Sequence, residues 1–222
     1  MILLLAADVS PLQDSALYEA ACAAVPPARR QKAERFRFDR DKRLCLGAGL
    51  LLRHGLAALG ADPNEEPFCD RNGKPRLASG LCFNLSHTGQ YALCALSGRE
   101  IGCDAETVQD IDLRLAARFC PEECAEILSE PDPAARRDLF YRYWVLKESF
   151  MKATGLGMRL ALDAFRILPG DPVTVRQQVD GNTYHFAEFS DLPGCKCALC
   201  ALERCEGAAL QWVSLPGHLS RR

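Results

Sequence analysis

YRYWVLKESFMKATG, residues Tyr141 to Gly155, is the stretch around which the chain is organised. At 3.6 residues per turn it predicts a helix with two unlike faces. Tyr141, Trp144, Glu148 and Lys152 follow one another three and four residues apart, so two aromatics, an acid and a base share one stripe. Gly155 suits the left-handed position that ends a helix. Taken alone, Glu148 and Lys152 describe a solvated i,i+4 pair beside a half-buried tryptophan, worth about a few tenths of a kcal/mol. A second acidic pair upstream, Asp104 and Glu106, adds to that reading. Three carboxylates from two elements make a site for a hard cation.

That second pair sits in IGCDAE, Ile101 to Glu106, a short strand. Period 2 puts Ile101, Cys103 and Ala105 on one face and Gly102, Asp104 and Glu106 on the other. Two carboxylates pointing the same way repel each other unless a cation sits between them. A metal ion satisfies that need, and so does a neighbouring lysine or arginine.

Working outward, 222 residues suit one large domain or two small ones. About half the residues are apolar and a quarter are charged, with a net charge of −2, which argues against wholesale nucleic-acid binding. The opening MILLLAADVS has no basic region and too short an apolar run for a signal peptide or a membrane span. Its Ile2–Ala7 run reads as a buried strand. The twelve cysteines are then expected to be reduced thiols in a cytoplasm, acting as small apolar residues. Cys195, Cys197, Cys200 and Cys205 lack the two separated knuckles of a zinc site and fit a strand better.

Upstream of the acids, Ser15–Ala24 reads as a helix broken by Pro26 and Pro27. Residues 28–43 carry Arg29, Arg30, Lys32, Arg35, Arg37, Arg40, Lys42 and Arg43, either a solvated face or an anion site. Leu44–Leu59 is an apolar core helix. Residues 62–74 read as loop, with Asn72-Gly73 as a turn that projects Lys74 towards solvent. Residues 81–96 read as two strands around Thr88-Gly89-Gln90, with Phe83, Leu85 and His87 alternating against Cys82, Asn84 and Ser86. Downstream, helices are expected over Asp110–Phe119, Pro121–Ser129 and Arg136–Gly155. Strands follow at Phe165–Leu168, Val173–Val179, Tyr184–Phe189 and Lys196–Leu202. The tail after Leu215 has little pattern. ALCAL occurs twice, at Ala92–Leu96 and Ala198–Leu202, each in an expected strand, and only the first copy leads to Asp-x-Glu. The echo suggests two similar halves with a single site assembled between them.

Four motifs now line up: GKP at Gly73–Pro75, FNLSHTG at Phe83–Gly89, IGCDAE at Ile101–Glu106, and WVLKESFMKATG at Trp144–Gly155. Together they resemble the 4′-phosphopantetheinyl transferases, in the longer, Sfp-type branch. Each motif alone is weak; the four at compatible spacing are specific. The resemblance implies an α+β fold of two pseudo-symmetric halves, here 1–109 and 110–222, with the active site between them. It implies transfer of the phosphopantetheine arm of coenzyme A to a serine of an apo acyl or peptidyl carrier protein. Mg²⁺ assists, and adenosine 3′,5′-bisphosphate leaves. By the same resemblance Asp104, Glu106 and Glu148 form the metal triad, with Glu148 as general base and Lys152 as the group that neutralises transferred charge. Ser86 and His87 match the pair that contacts nucleotide and phosphates, and Lys74 matches the GKP lysine near the nucleotide. Arg29, Lys32 and Arg43 fall where the family binds the 3′-phosphate, with Arg40 and Lys42 as rivals. Lys147 is expected beside the acid cluster, and Trp144 in the core. Ala105 and Cys103 depart from the larger aliphatic residues usual there and remove no functional group. Partners are therefore coenzyme A and a carrier, with neither nucleic acid nor membrane, and a monomer suffices.

Three other classes remain open on sequence alone. They are a non-catalytic coenzyme A or carrier-binding module, a cysteine-rich metal or redox protein, and an unrelated Mg²⁺ phosphohydrolase. A decayed enzyme would have lost one of Asp104, Glu106, Glu148 or Lys152, and all four are present.

Overall fold

The computed structural model describes residues 1–112 and 114–219. The chain opens with strand β1 (Leu3–Asp8) and helices α1 (Ser15–Ala24), α2 (Pro27–Glu34) and α3 (Asp39–Ala58). A small hairpin, β2 (Phe68–Cys69) and β3 (Pro75–Arg76), precedes a longer one, β4 (Cys82–Thr88) and β5 (Tyr91–Ser97), and then β6 (Ile101–Thr107). Short helices α4 (Leu115–Phe119) and α5 (Cys124–Ser129) lead into the long helix α6 (Pro133–Thr154). Strands β7 (Phe165–Leu168), β8 (Thr174–Gln177), β9 (His185–Phe189), β10 (Cys195–Ala201) and β11 (Leu210–Trp212) follow, then helix α7 (Leu215–Leu219). Among the described residues no helix is long and apolar enough to cross a membrane.

Local chemistry sets the helix ends. Asp14 accepts from the Leu17 amide at 2.9 Å and caps α1, while Pro27 starts α2 where its missing N–H costs nothing. Asp132 accepts from the Ala135 amide at 2.7 Å, so α6 begins three residues earlier than the apolar pattern suggested. Gly155 ends it with φ 75°, the left-handed conformation expected from sequence.

The main strands form two sheets, β11-β1-β5-β4 and β6-β10-β9. Within each the same order recurs: a first strand pairs antiparallel with a third, which pairs with a second. The ALCAL copies occupy equivalent strands in equivalent register. Ala92 pairs with Ala7 and Ala198 pairs with Asp104; Ala95 pairs with Leu4 and Ala201 with Ile101. The pseudo-symmetric α+β expectation therefore holds, and Ala7 occupies in one copy the place that Asp104 occupies in the other.

Apolar side chains form three clusters. One joins α1, α3 and α7 to the first sheet; another joins α6 to β9, β10 and the β7–β8 hairpin. The third, including Leu4, Ala6, Leu93, Ile101, Cys103 and Leu199, joins the two sheets through their inner faces. The edges β4 and β6 meet through side chains where a ladder would stop. Asn84 Oδ1 accepts from the Cys103 amide at 2.9 Å and Thr88 Oγ1 from the Thr107 amide at 2.8 Å. The functional motifs lie along this seam.

Several expectations need correction. The loop over 62–74 contains β2, which pairs with β3 and makes a small sheet. The helix expected over Asp110–Phe119 is confined to Leu115–Phe119, and Leu113 lies outside the described residues. The helix expected from Pro121 starts at Cys124, because Glu123 turns inward and is fully buried. The chain beyond Leu215 has structure as far as Leu219: α7 places Leu215 in the first core. Leu210–Trp212, which shows no strand pattern in sequence, forms β11 and pairs in parallel with β1. All twelve cysteines are free thiols, and the Cys195 run is strand β10, as its alternation indicated.

Candidate functional site

The site begins with a glycine. A Cβ on Gly102 would lie 2.2 Å from the Ser149 carbonyl oxygen and 2.5 Å from the Ala153 nitrogen. Strand β6 therefore runs directly on the backbone of α6, an approach only glycine allows. The next alternate residues of β6, Asp104 and Glu106, face the stripe of α6 that carries Trp144, Glu148 and Lys152.

Lys152 is the hub. Its Nζ lies 2.6 Å from Asp104 Oδ1 and donates at 3.3 Å to both Ser86 Oγ and the Cys103 carbonyl. Glu148 Oε2 is 3.8 Å away. Ser86 donates to Asp104 Oδ1 at 2.8 Å from β4, across the seam. Asp104 is 4 % exposed, and its second oxygen, Oδ2, is buried with no hydrogen-bond partner among the described residues. An unsatisfied buried carboxylate oxygen costs on the order of 1–3 kcal/mol and calls for a ligand.

The electrostatics follow from this crowding. Burial, and then the negative charge of Asp104, push the Glu106 carboxyl up to about 7, against the opposing pull of Lys152 and a hydrogen bond from Trp144. Burial also raises Glu148, with Lys152 opposing and Asp104 adding to the rise. Burial pulls Lys152 towards neutral, but Asp104 and Glu148 outweigh it and hold the ammonium charged above the ordinary lysine range. His87, at the mouth of the site, is lowered by partial desolvation and by the nearby Lys152 charge.

A cleft of about 700 Å³ opens beside the cluster, lined by Arg40, Arg43, His87, Glu106 and Gln109 among others. Lys152 borders a second cavity of about 430 Å³, with Asn72, Asn84 and Arg159 on its walls. Arg40, Arg43 and His87 give the first cleft groups that can bind a polyphosphate, and Glu106 on its wall can move a proton beside it.

The fate of the expected residues is mixed. Asp104, Glu106, Glu148 and Lys152 come together with Ser86, and His87 lines the adjoining cleft. The three carboxylates gather around Lys152 rather than around one point, and among the described residues no three His, Cys, Asp or Glu are grouped closely enough to hold an ion. The basic trio is divided: Arg43 lines the main cleft, whereas Arg29 and Lys32 line a separate cavity of about 190 Å³ with Glu65 and Glu66. Of the rivals, Arg40 joins Arg43, its Nε donating to the Gly89 carbonyl at 2.9 Å, while Lys42 pairs with Asp39.

Two lysines are corrected outright. Lys74 is not at a solvent-exposed tip; it is 7 % exposed and bonded to Glu100. Lys147 is not beside the acid cluster. It is fully buried against Glu123, 3.1 Å away, with the Phe165 ring 4.2 Å from its Nζ. Trp144 does pack in the core, against Phe119 at 4.7 Å, and also bonds Glu106. Glu100 and Glu123 were not foreseen as partners, because their lysines lie more than 20 residues away in sequence.

Comparison with known proteins agrees with this arrangement. A family profile described as the 4′-phosphopantetheinyl transferase superfamily matches residues 100–200, and one described as 4′-phosphopantetheinyl transferase, N-terminal, matches residues 10–99. The 4′-phosphopantetheinyl transferase psf-1 of Bacillus pumilus is 32% identical over 201 residues, 87% of this chain and 85% of that protein. The 4′-phosphopantetheinyl transferase Sfp of Bacillus subtilis is 30% identical over 184 residues, 80% of this chain and 82% of its own. The Xenopus laevis L-aminoadipate-semialdehyde dehydrogenase-phosphopantetheinyl transferase is 33% identical over 152 residues, 60% and 50% of the two chains. The chain belongs to the 4′-phosphopantetheinyl transferases, in their Sfp-type branch.

Proposed function

We propose that this transferase moves the 4′-phosphopantetheine arm of coenzyme A onto a serine of an apo acyl or peptidyl carrier protein at the Asp104–Lys152–Glu148 cluster. The observation that carries the reading is the orphaned, buried Oδ2 of Asp104, held beside the charged Lys152 and on the same strand face as Glu106, which lines the cleft of Arg40, Arg43 and His87.

The carrier serine gives its hydroxyl proton to Glu148, whose raised pKa makes it a stronger base than a surface carboxylate. The serine oxygen bonds to the phosphorus that bears the pantetheine arm. The bond from that phosphorus to the bridging oxygen breaks, and the electron pair leaves with adenosine 3′,5′-bisphosphate. Lys152 offsets the negative charge gathering on the phosphoryl oxygens and the leaving phosphate. Arg43, Arg40 and His87 bind the phosphate-rich end of coenzyme A in the main cleft, and Ser86 holds Asp104 in place. Arg29 and Lys32, in their separate cavity, take no part in this cleft.

Mg²⁺ fits the chemistry of this donor set: Asp104 has a free buried oxygen, and Glu106 is a carboxylate whose ionisation burial and the Asp104 charge suppress. Asp104 with one neighbouring carboxylate, Glu106 or Glu148, would hold it, since one or two carboxylates plus phosphate oxygens suffice for Mg²⁺, and it would supply charge neutralisation at the pyrophosphate.

We divide the chain into halves 1–109 and 110–222, each lending a strand to the other's sheet through β6 and β11. A monomer then contains a whole site, and a cytoplasmic location suits free thiols.

The test incubates the protein with coenzyme A, Mg²⁺ and a panel of apo carriers, and weighs the carriers intact. A gain of one phosphopantetheine is expected on at least one carrier. No gain on any carrier, with coenzyme A still binding, would move the reading to a non-catalytic binding module.

A further inference from the structure

Lys74 does something that neither its turn nor its motif suggests. Its ammonium carries three protons and has three protein acceptors: Glu100 Oε2 at 2.6 Å, the Ala153 carbonyl at 3.1 Å and the Ile101 carbonyl at 3.3 Å. No donor is left for a ligand. Ala153 lies in the last turn of α6, where carbonyls lack helical partners and a cation is favoured. Ile101 is the first residue of β6. The one side chain therefore ties together the C-terminal end of the helix that carries Glu148 and Lys152 and the start of the strand that carries Asp104 and Glu106.

The surroundings are built to hold it there. Glu100 also bonds Arg76, and Arg76 Nε donates to Asp70 Oδ2 at 2.9 Å. Asp70 Oδ1 accepts the amides of Asn72 at 2.8 Å and Lys74 at 3.0 Å, fixing the turn from which the lysine enters. The helix end makes room for the stem: a Cβ on Gly155 would lie 3.2 Å from Lys74 Cδ.

We propose that Lys74 is a positioning residue that locks β6 to the end of α6 and so sets the distance between Asp104 and Lys152, and that its side chain does not bind the nucleotide. The proposal rests on the transferase reading for its kinetic consequence and on the fold alone for its structural one.

The experiment compares wild type, Lys74→Met, which keeps the stem without the charge, and Glu100→Gln, which weakens the same lock from a residue bordering neither site cavity. Hydrogen exchange of residues 150–156, the dissociation constant for coenzyme A, and kcat for carrier modification are measured. Both variants are expected to exchange faster at the end of α6. Both are expected to lose kcat by about tenfold to a hundredfold, as a misplacement of about 1 Å would cause, while coenzyme A affinity changes by less than about threefold. Unchanged exchange at 150–156 would overturn the proposal whether or not the enzyme transfers. So would a loss of coenzyme A affinity of about tenfold or more in Lys74→Met with kcat retained and Glu100→Gln silent. If wild type modifies no carrier, the transferase reading falls, and the exchange data still decide the role of Lys74.

Discussion

Glu106 shows best how a single residue reports on this site. Its carboxyl is pushed from an ordinary value of 4.5 to about 7 by burial and by Asp104. Below pH 4.5 folded and unfolded chains both hold this proton. Between the two values the unfolded chain releases it and the folded chain keeps it, so stability falls as pH rises, and above about 7 the loss is complete. In chelator, the unfolding free energy of wild type is expected to drop between pH 5 and pH 8. Glu106→Gln should lack that drop and exceed wild type at pH 8 by about 1–3 kcal/mol. Equal pH slopes for the two proteins would contradict the crowding of acids described here. Asp104, Glu106, Glu148 and Lys152 were all legible in sequence, because alternation along a strand and i,i+4 spacing along a helix are local rules. Lys74 was not legible. Its motif and its turn both pointed outward, and what turns it inward is a set of acceptors 26 to 79 residues away.

At the scale of the element, α6 does two jobs on two faces. One face presents Glu148 and Lys152. The other buries Lys147, whose Nζ contacts both Glu123 oxygens and donates to the Phe165 carbonyl at 3.2 Å. Glu123 also accepts from the Ile167 amide at 2.8 Å, which ties the β7–β8 hairpin to the helix. Lys147→Met would leave a carboxylate buried without its counter-charge, a loss of about 3–5 kcal/mol. Adding Glu123→Gln to that variant should recover part of it, because the stranded charge goes too. Denaturant midpoints of the two proteins test this, and a single variant as stable as wild type would refute it. The helix itself could be read from its stripe and its Gly155 stop, and β4, β5, β6 and β10 from their alternation, whereas the Asp132 cap that starts α6 was missed. Strand β11 spans three residues and α7 five, too short for any periodicity, and they exist through pairing with β1 and packing in the first core.

At the scale of the molecule, the repeated sheet order explains where the chemistry lies. Two copies of one strand pattern pack face to face, and their edges β4 and β6 meet through Asn84, Ser86 and Thr88 rather than through a backbone ladder. In the second copy Asp104 and Glu106 alternate along the first strand; in the first copy Ala7 stands where Asp104 would be, and the one acid of β1, Asp8, is in register with Ala105 instead. The ALCAL echo made the duplication readable. The strand exchange was hidden, because which sheet an edge strand joins is decided by packing between the copies and leaves no local signature.

The central claim is that transfer takes place where Lys152 holds Asp104 and Glu148 at the contact of β6 and α6. Its most direct test is the single-turnover rate of carrier modification by Asp104→Ala and Glu148→Gln with Mg²⁺ and coenzyme A saturating, alongside circular dichroism of each variant. The account predicts rates lower by at least about a hundredfold in both variants, with native spectra. Wild-type rates in both folded variants would contradict it.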